Sequence, residues 1–179
     1  MDLIIDATAG NRHMYGGDKE PANVVFVDKE LGLFYPPTIF ATWEYWPFRS
    51  DLNSKTIFDP PHIFSETSMY NQNPGARPNG AKKIPGWYGA FSSKRKAIHT
   101  LLKAQSEFSR VSHTLFFKWN AASLGIDSVL TLFRDWTTIR MVPFRSRGKK
   151  PSTYWVRLDR KHGGIQVNGN ITTEPSYSR

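Results

Sequence analysis

Leu3-Ile4-Ile5-Asp6-Ala7-Thr8-Ala9-Gly10-Asn11-Arg12 is the stretch that decides how this chain is read. An apolar run stops at an acid and opens into small residues and a glycine, the pattern of a buried strand feeding a tight turn in an α/β unit. Working outward, Val24-Val25-Phe26-Val27 is a second strand ending at Asp28, and Ile39-Phe40-Ala41 is a weaker third. Thr56-Ile57-Phe58 is a fourth, closed by Asp59-Pro60-Pro61 because two prolines cannot continue a central strand. Three of the four strands thus end on an aspartate.

Residues 62–92 hold prolines, glycines and asparagines without sustained periodicity, and a loop of that length within a domain calls for a functional explanation. Residues 93–109 read as a helix with Ala97, Ile98, Leu101, Leu102, Gln105 and Phe108 on one face. Thr114-Leu115-Phe116-Phe117 is a fifth strand ending at Lys118. Ser123 is positioned to cap a second helix whose stripe is Ile126, Val129, Leu130 and Phe133. Residues 137–144 and 153–158 alternate as strands with no crossover helix between them, so an antiparallel hairpin is expected. Short helices are expected within residues 11–19 and 29–33, and residues 162–179 read as a polar tail.

With 179 residues, 39% of them hydrophobic, the chain has material for one large core, taken as a domain over residues 1–161. No run reaches the roughly 18 apolar residues of a membrane helix. Asp2 and Asp6 stand where a signal peptide would be basic, so a cytoplasmic protein without a membrane span is expected. Zero cysteines exclude disulfides, thiolate metal sites and a cysteine nucleophile, and the five histidines form no short metal-binding pair. No metal is expected.

The net charge of +9 is segregated. Residues 1–58 carry eight acids and five bases, residues 77–110 eight bases and one acid, and residues 134–161 nine bases and two acids. Segregated positive charge favours a polyanionic partner over an evenly solvated surface.

In an open parallel sheet, ligands bind at the carboxyl ends of the strands. The sequence puts Asp6 and Gly10, Asp28, Asp59 and Lys118 at four such ends. Gly10 allows close backbone approach, and Asp28, at the tip of the second strand, can take both hydroxyls of a ribose. Neither a Gly-x-Gly-x-x-Gly fingerprint nor a phosphate-binding Gly-x4-Gly-Lys-Ser/Thr loop is present. Taken singly, each aspartate reads as an ordinary strand-end or turn residue; taken together they point to a ligand site.

Asp6-Ala-Thr-Ala-Gly10-Asn-Arg12 resembles the cofactor motif of class I S-adenosylmethionine-dependent methyltransferases. Asp59-Pro60-Pro61-His62 resembles the Asp/Asn-Pro-Pro-aromatic motif of those that methylate exocyclic base amines, above all the N6-adenine DNA methyltransferases. Trp46-Pro47-Phe48 and Phe117-Lys118-Trp119-Asn120 are similar to stretches of small phage and prokaryotic members. The likeness covers roughly residues 3–159. It implies a Rossmann-like class I methyltransferase fold, a mostly parallel seven-stranded sheet with helices on both faces that ends in an antiparallel hairpin of its last two strands. It also implies S-adenosylmethionine held by Asp6, Thr8, Ala9, Gly10, Asn11, Arg12, Asp28, Lys29 and Trp43. The catalytic set would be Asp59, Pro60, Pro61, His62 and Lys118, with residues 63–92 as a target-side loop.

The chemistry suits those residues. The lone pair of an exocyclic amine is delocalised into the ring, so it needs acceptors that hold the NH2 group and a flat partner that fixes the base. The Asp59 carboxylate and the Pro60 carbonyl are the expected acceptors. His62 departs from the usual aromatic, which bears on the target base and admits an inactive cofactor-binding or nucleic-acid-binding protein as an alternative. Lys118 with Asp59 resembles two of the four Lys-Asp-Lys-Glu residues of ribose 2′-O methyltransferases, the other two being absent; its plain alternative is a snorkelling strand-end lysine.

Aromatic residues interleaved with cations suit exposed nucleic-acid strands. Tyr70, Trp87, Tyr88 and Phe91 stand among Arg77, Lys82, Lys83, Lys94, Arg95 and Lys96, and Arg145, Arg147, Lys149 and Lys150 form a basic finger between the last two strands. The alternative is that Trp87 and Phe91 pin the loop to the core. The expected partner is nucleic acid, with DNA ahead of RNA. A chain this short leaves sequence recognition to a homodimer or a specificity partner.

Overall fold

A computed structural model describes residues 2–61, 91–121, 123–144 and 153–161. Seven strands form one sheet in the order β3-β2-β1-β4-β5-β7-β6. They are β1 (Ile4–Asp6), β2 (Val24–Asp28), β3 (Ile39–Phe40), β4 (Ser54–Phe58), β5 (Ser112–Asn120), β6 (Trp136–Phe144) and β7 (Thr153–Arg160). The β3-β2-β1-β4-β5 pairings are all parallel, whereas β7 runs antiparallel to both β5 and β6. This order with its antiparallel end is the Rossmann-like class I methyltransferase fold, as expected. The chain leaves β1 toward β2 on one side and returns to β4 on the other, so the direction of winding reverses between β1 and β4.

Helix α1 (Lys94–Val111) begins where Ser93 accepts a hydrogen bond from the Lys96 backbone N–H, satisfying one of the free donors of the first turn. It buries Ala97, Leu101, Ala104, Phe108 and Val111. Helix α2 is only Ile126–Leu130, and its cap is Gly125 rather than the expected Ser123. The cause lies in the core: the Trp119 indole N–H donates to the Leu124 carbonyl at 2.8 Å, holding the preceding turn down before the chain can coil. The apolar stripe is nevertheless the expected one, with Ile126, Val129 and Phe133 buried and Leu130 packed against them.

Of the two short helices expected, one is reduced to a turn and the other is missing. Residues 11–19 form a single 3-10 turn, His13–Tyr15, because Arg12 and Gly16 on either side have positive φ and break any α-helical run. Residues 29–33 form no helix; the Asp28 carboxylate instead accepts the Glu30 N–H, making a turn.

The core is aromatic and lies on one face of the sheet. Phe58 meets Phe108 of α1 at 4.8 Å and stacks on Phe117, which in turn touches Trp119 and Phe133. Both helices therefore cover the same face, and among the described residues none covers the other. The expected helices of the second face are not found among the described residues. Around β1 and β2 the loop after β1 stands in for one: Tyr15 packs edge-on against Phe26, and the Arg12 guanidinium lies 3.9 Å from that ring.

Candidate functional site

A cleft of about 440 Å³ opens at the carboxyl ends of β1, β2, β4 and β5, where the winding reverses. That is the ligand position of open α/β sheets. Its volume lies within the roughly 300–1,000 Å³ of small-molecule sites. No helix among the described residues is long and apolar enough to cross a membrane.

The β1 end supplies the cleft's turn. Thr8 donates its N–H to the Asp6 carboxylate at 3.1 Å, and Gly10, at φ +48°, donates its N–H to the Asp28 carboxylate at 2.9 Å. A side chain at Gly10 would meet only the Thr8 carbonyl, at 3.9 Å, so glycine answers to backbone conformation rather than crowding. Of the residues singled out for the cofactor, Thr8, Ala9, Gly10, Asn11, Asp28, Lys29 and Trp43 line the cleft. The second Asp28 oxygen accepts the Glu30 N–H, which fixes the carboxylate while leaving lone pairs for a ligand.

Asp6 and Arg12 do not line the cleft. Asp6 is wholly buried behind the turn, and one of its oxygens has no hydrogen-bond partner among the described residues. Burial, with the nearby charges of Asp59 and Asp28 adding to it, pushes its carboxyl up from 3.8 to about 6. Arg12 is a structural clamp. Its guanidinium donates to the Lys19 and Pro36 carbonyls at 2.8 and 2.6 Å and closes the loop between β1 and β2 over Phe26.

The other wall is built by β4 and β5. Lys118 reaches across to Asp59 with Nζ–Oδ2 of 2.6 Å, and the Asp59 backbone N–H donates to the Thr8 hydroxyl at 2.8 Å. The β1 turn and the β4 terminus are thereby tied together. Asp59 Oδ1 is buried without a hydrogen-bond partner among the described residues, and so is the indole N–H of Trp43. Both residues line the cleft, so a bound molecule can supply the missing partners. Pro61 lines the cleft and Pro60 lies buried beneath.

His13, Met14 and Glu30 also line the cleft and were not singled out from sequence. Their only sequence signal is proximity to Gly10 and Asp28. Lys94, Arg95 and Lys96 are exposed on the first turn of α1, which the β4–α1–β5 crossover starts at the carboxyl edge of the sheet. Three cations there run against the helix dipole. Phe91, by contrast, is buried in the core. His62, Tyr70, Arg77, Lys82, Lys83, Trp87, Tyr88, Arg145, Arg147, Lys149 and Lys150 lie outside the described residues, as do residues 162–179.

An rRNA methylase from Streptococcus thermophilus is similar in structure, at 16% identity and a TM-score of 0.49, over 90% of this chain and 87% of that one. No family model matches the sequence, and no curated protein does.

Proposed function

We propose that this protein transfers a methyl group from S-adenosylmethionine to nucleic acid, at an exocyclic base nitrogen. One observation carries the reading: a class I methyltransferase sheet opens a cleft in which the Gly10 turn, the Asp28 carboxylate and Asp59 of the Asp-Pro-Pro stretch face a common space.

The residues present fit that cofactor. Asp28 accepts the ribose hydroxyls, the Trp43 indole offers a flat ring and an unpartnered N–H to the adenine, and the open Gly10 turn admits the amino-acid end. When bound, the cofactor supplies a methyl group already activated on a sulfonium sulfur, so neither metal nor cysteine is needed. Asp59 Oδ1 and the Pro60 carbonyl hold the amino hydrogens of the target base, favouring a pyramidal nitrogen whose lone pair is available. Lys118, bonded to Oδ2, orients the carboxylate. His62 takes the place of the family's stacking aromatic. These groups address a base amine that DNA and RNA share, and N6 of adenine in DNA is one target among several.

One observation favours a second reading, ribose 2′-O transfer on RNA. Lys118 and Asp59 are in direct contact at 2.6 Å, as they would be where a hydroxyl is the nucleophile.

Incubation with radiolabelled S-adenosylmethionine and either mixed DNA or total RNA, followed by digestion to nucleosides, tests both. Label on a base amine, reduced at least about a hundredfold by Asp59→Ala, is the expected result. Label on ribose would select the second reading. Cofactor binding without label in either pool would leave a binding protein.

A further inference from the structure

The β4–β5–β7–β6 half of the sheet has one packed face and one face that no described element covers. On the packed side Phe58, Phe117, Val156 and Leu158 are at most 1% exposed. On the other side Ile57, Phe116 and Trp155 are only partly buried, and Arg140 and Arg157 are exposed. Val142 and Phe144, on the same side, are 44% and 67% exposed.

Strand register orders this open face. Lys118 lies opposite Trp155, and Trp155 opposite Val142. Residues directly opposite in a sheet stand side by side on one face. A continuous row therefore runs from Asp59 through Lys118, whose Nζ is 5.8 Å from the Trp155 ring, to Val142 on the outermost strand. At about 4.8 Å per strand, that row is about 14 Å long. The row beside it is Phe116, Arg157 and Arg140, again in register. Arg157 is paired with Asp159, whereas Arg140 makes no ion pair among the described residues.

We propose that this face is a stacking platform for single-stranded nucleic acid, seating the nucleotides that flank the one held in the cleft. It deepens the methyl-transfer reading and rests on it for the direction of the strand. Three features on the page carry it. The platform is continuous with the cleft, because Lys118 belongs to both. Rings and cations are neighbours across the strands, Lys118 beside Trp155 and Phe116 beside Arg157, so bases find π-faces while phosphates find guanidinium groups. Its charge is complementary, in a chain of net +9. An apolar face awaiting only a covering helix has no use for an arginine that finds no ion pair among the described residues.

The test is fluorescence anisotropy with end-labelled oligouridylate and oligodeoxythymidylate of about 12 nucleotides, a length within the span of known single-strand sites. Phe144→Ala should weaken both probes about tenfold, the loss of one stacked base. Arg140→Gln should lower the salt slope by about 0.7, one phosphate contact on a single strand. Met141→Ala, on the same strand but opposite the buried Val156 and therefore on the other face, should bind as the parent does. Unchanged affinity in both Phe144→Ala and Arg140→Gln, or an equal loss in Met141→Ala, overturns the platform. So does a dimer that Phe144→Ala splits in sedimentation velocity without loss of oligonucleotide affinity, since the face would then join two copies of this chain. Equilibrium dialysis of S-adenosylmethionine on the same samples separates the two readings. Absent cofactor binding refutes the cleft assignment, while the oligonucleotide series still decides the platform.

Discussion

Among the described carboxylates, burial and charge pull hardest on Asp6. Its side chain is fully buried at the end of β1, and its carboxyl titrates near 6 instead of 3.8 because desolvation outweighs the single N–H it accepts from Thr8. A raised carboxyl favours the folded state while it is protonated. Its contribution is complete below pH 3.8 and is lost as pH rises through about 6. At about 1.4 kcal/mol per pH unit of difference, Asp6 costs the fold about 3 kcal/mol at pH 7. Asp6→Asn keeps an oxygen for the Thr8 N–H and removes the charge. Urea unfolding should therefore show the variant gaining on the parent between pH 4 and pH 7, and a gap that does not change with pH would refute this account. The sequence placed Asp6 among the cofactor ligands; its burial makes it a residue that shapes the turn from behind.

At the scale of elements, the β4–β5 pairing positions the cleft wall that carries Asp59 and Lys118, and a buried hydroxyl cluster holds it in register. Ser112 lies 2.8 Å from the Ser54 hydroxyl and 2.7 Å from that of Thr56, and all three are fully buried. Ser112→Ala strands the Thr56 hydroxyl and leaves that of Ser54 only the Val111 carbonyl at 3.5 Å, and a buried unsatisfied polar group costs about 1–3 kcal/mol. Thermal unfolding should show a loss in that range. Ser112→Val should do no better, since the Thr56 hydroxyl remains stranded. None of this was legible in the chain, where Ser54 and Ser112 look like the polar ends of short apolar runs. The strands themselves were legible, because Thr56-Ile57-Phe58 and Leu115-Phe116-Phe117 are too apolar to lie anywhere but in a sheet. The cap of α2 was misread for a related reason: Ser123 is a good cap in isolation, but the Trp119–Leu124 hydrogen bond fixes where that helix can begin.

At the scale of the molecule, the decisive asymmetry is between a sheet face covered by two helices and a face beside the cleft that no described residue covers. Net charge and the open face together predict salt-sensitive binding. Oligonucleotide affinity should fall log-linearly with salt, each phosphate contact on a single strand contributing about 0.7 to the slope. A flat dependence between 50 and 200 mM salt, the range over which such contacts weaken, would point to a small-molecule substrate instead. S-adenosylmethionine affinity, resting on hydrogen bonds inside the cleft, should change little over the same range.

The amino-acid sequence by itself determined the strands, the hairpin, the apolar stripes of both helices and most of the cleft. Apolar runs ending on acids or prolines are local signals, and in a parallel sheet strand ends are ligand positions whatever the loops do. Only the tertiary structure decided that Arg12 clamps a loop, that Asp6 is buried, that Lys118 neutralises Asp59 across 59 positions of chain, and that both helices share one face. Those facts depend on which neighbours a side chain meets after β1, β4, β5 and β7 are brought side by side. Register across strands distant in the chain leaves no mark on the local pattern of any one of them.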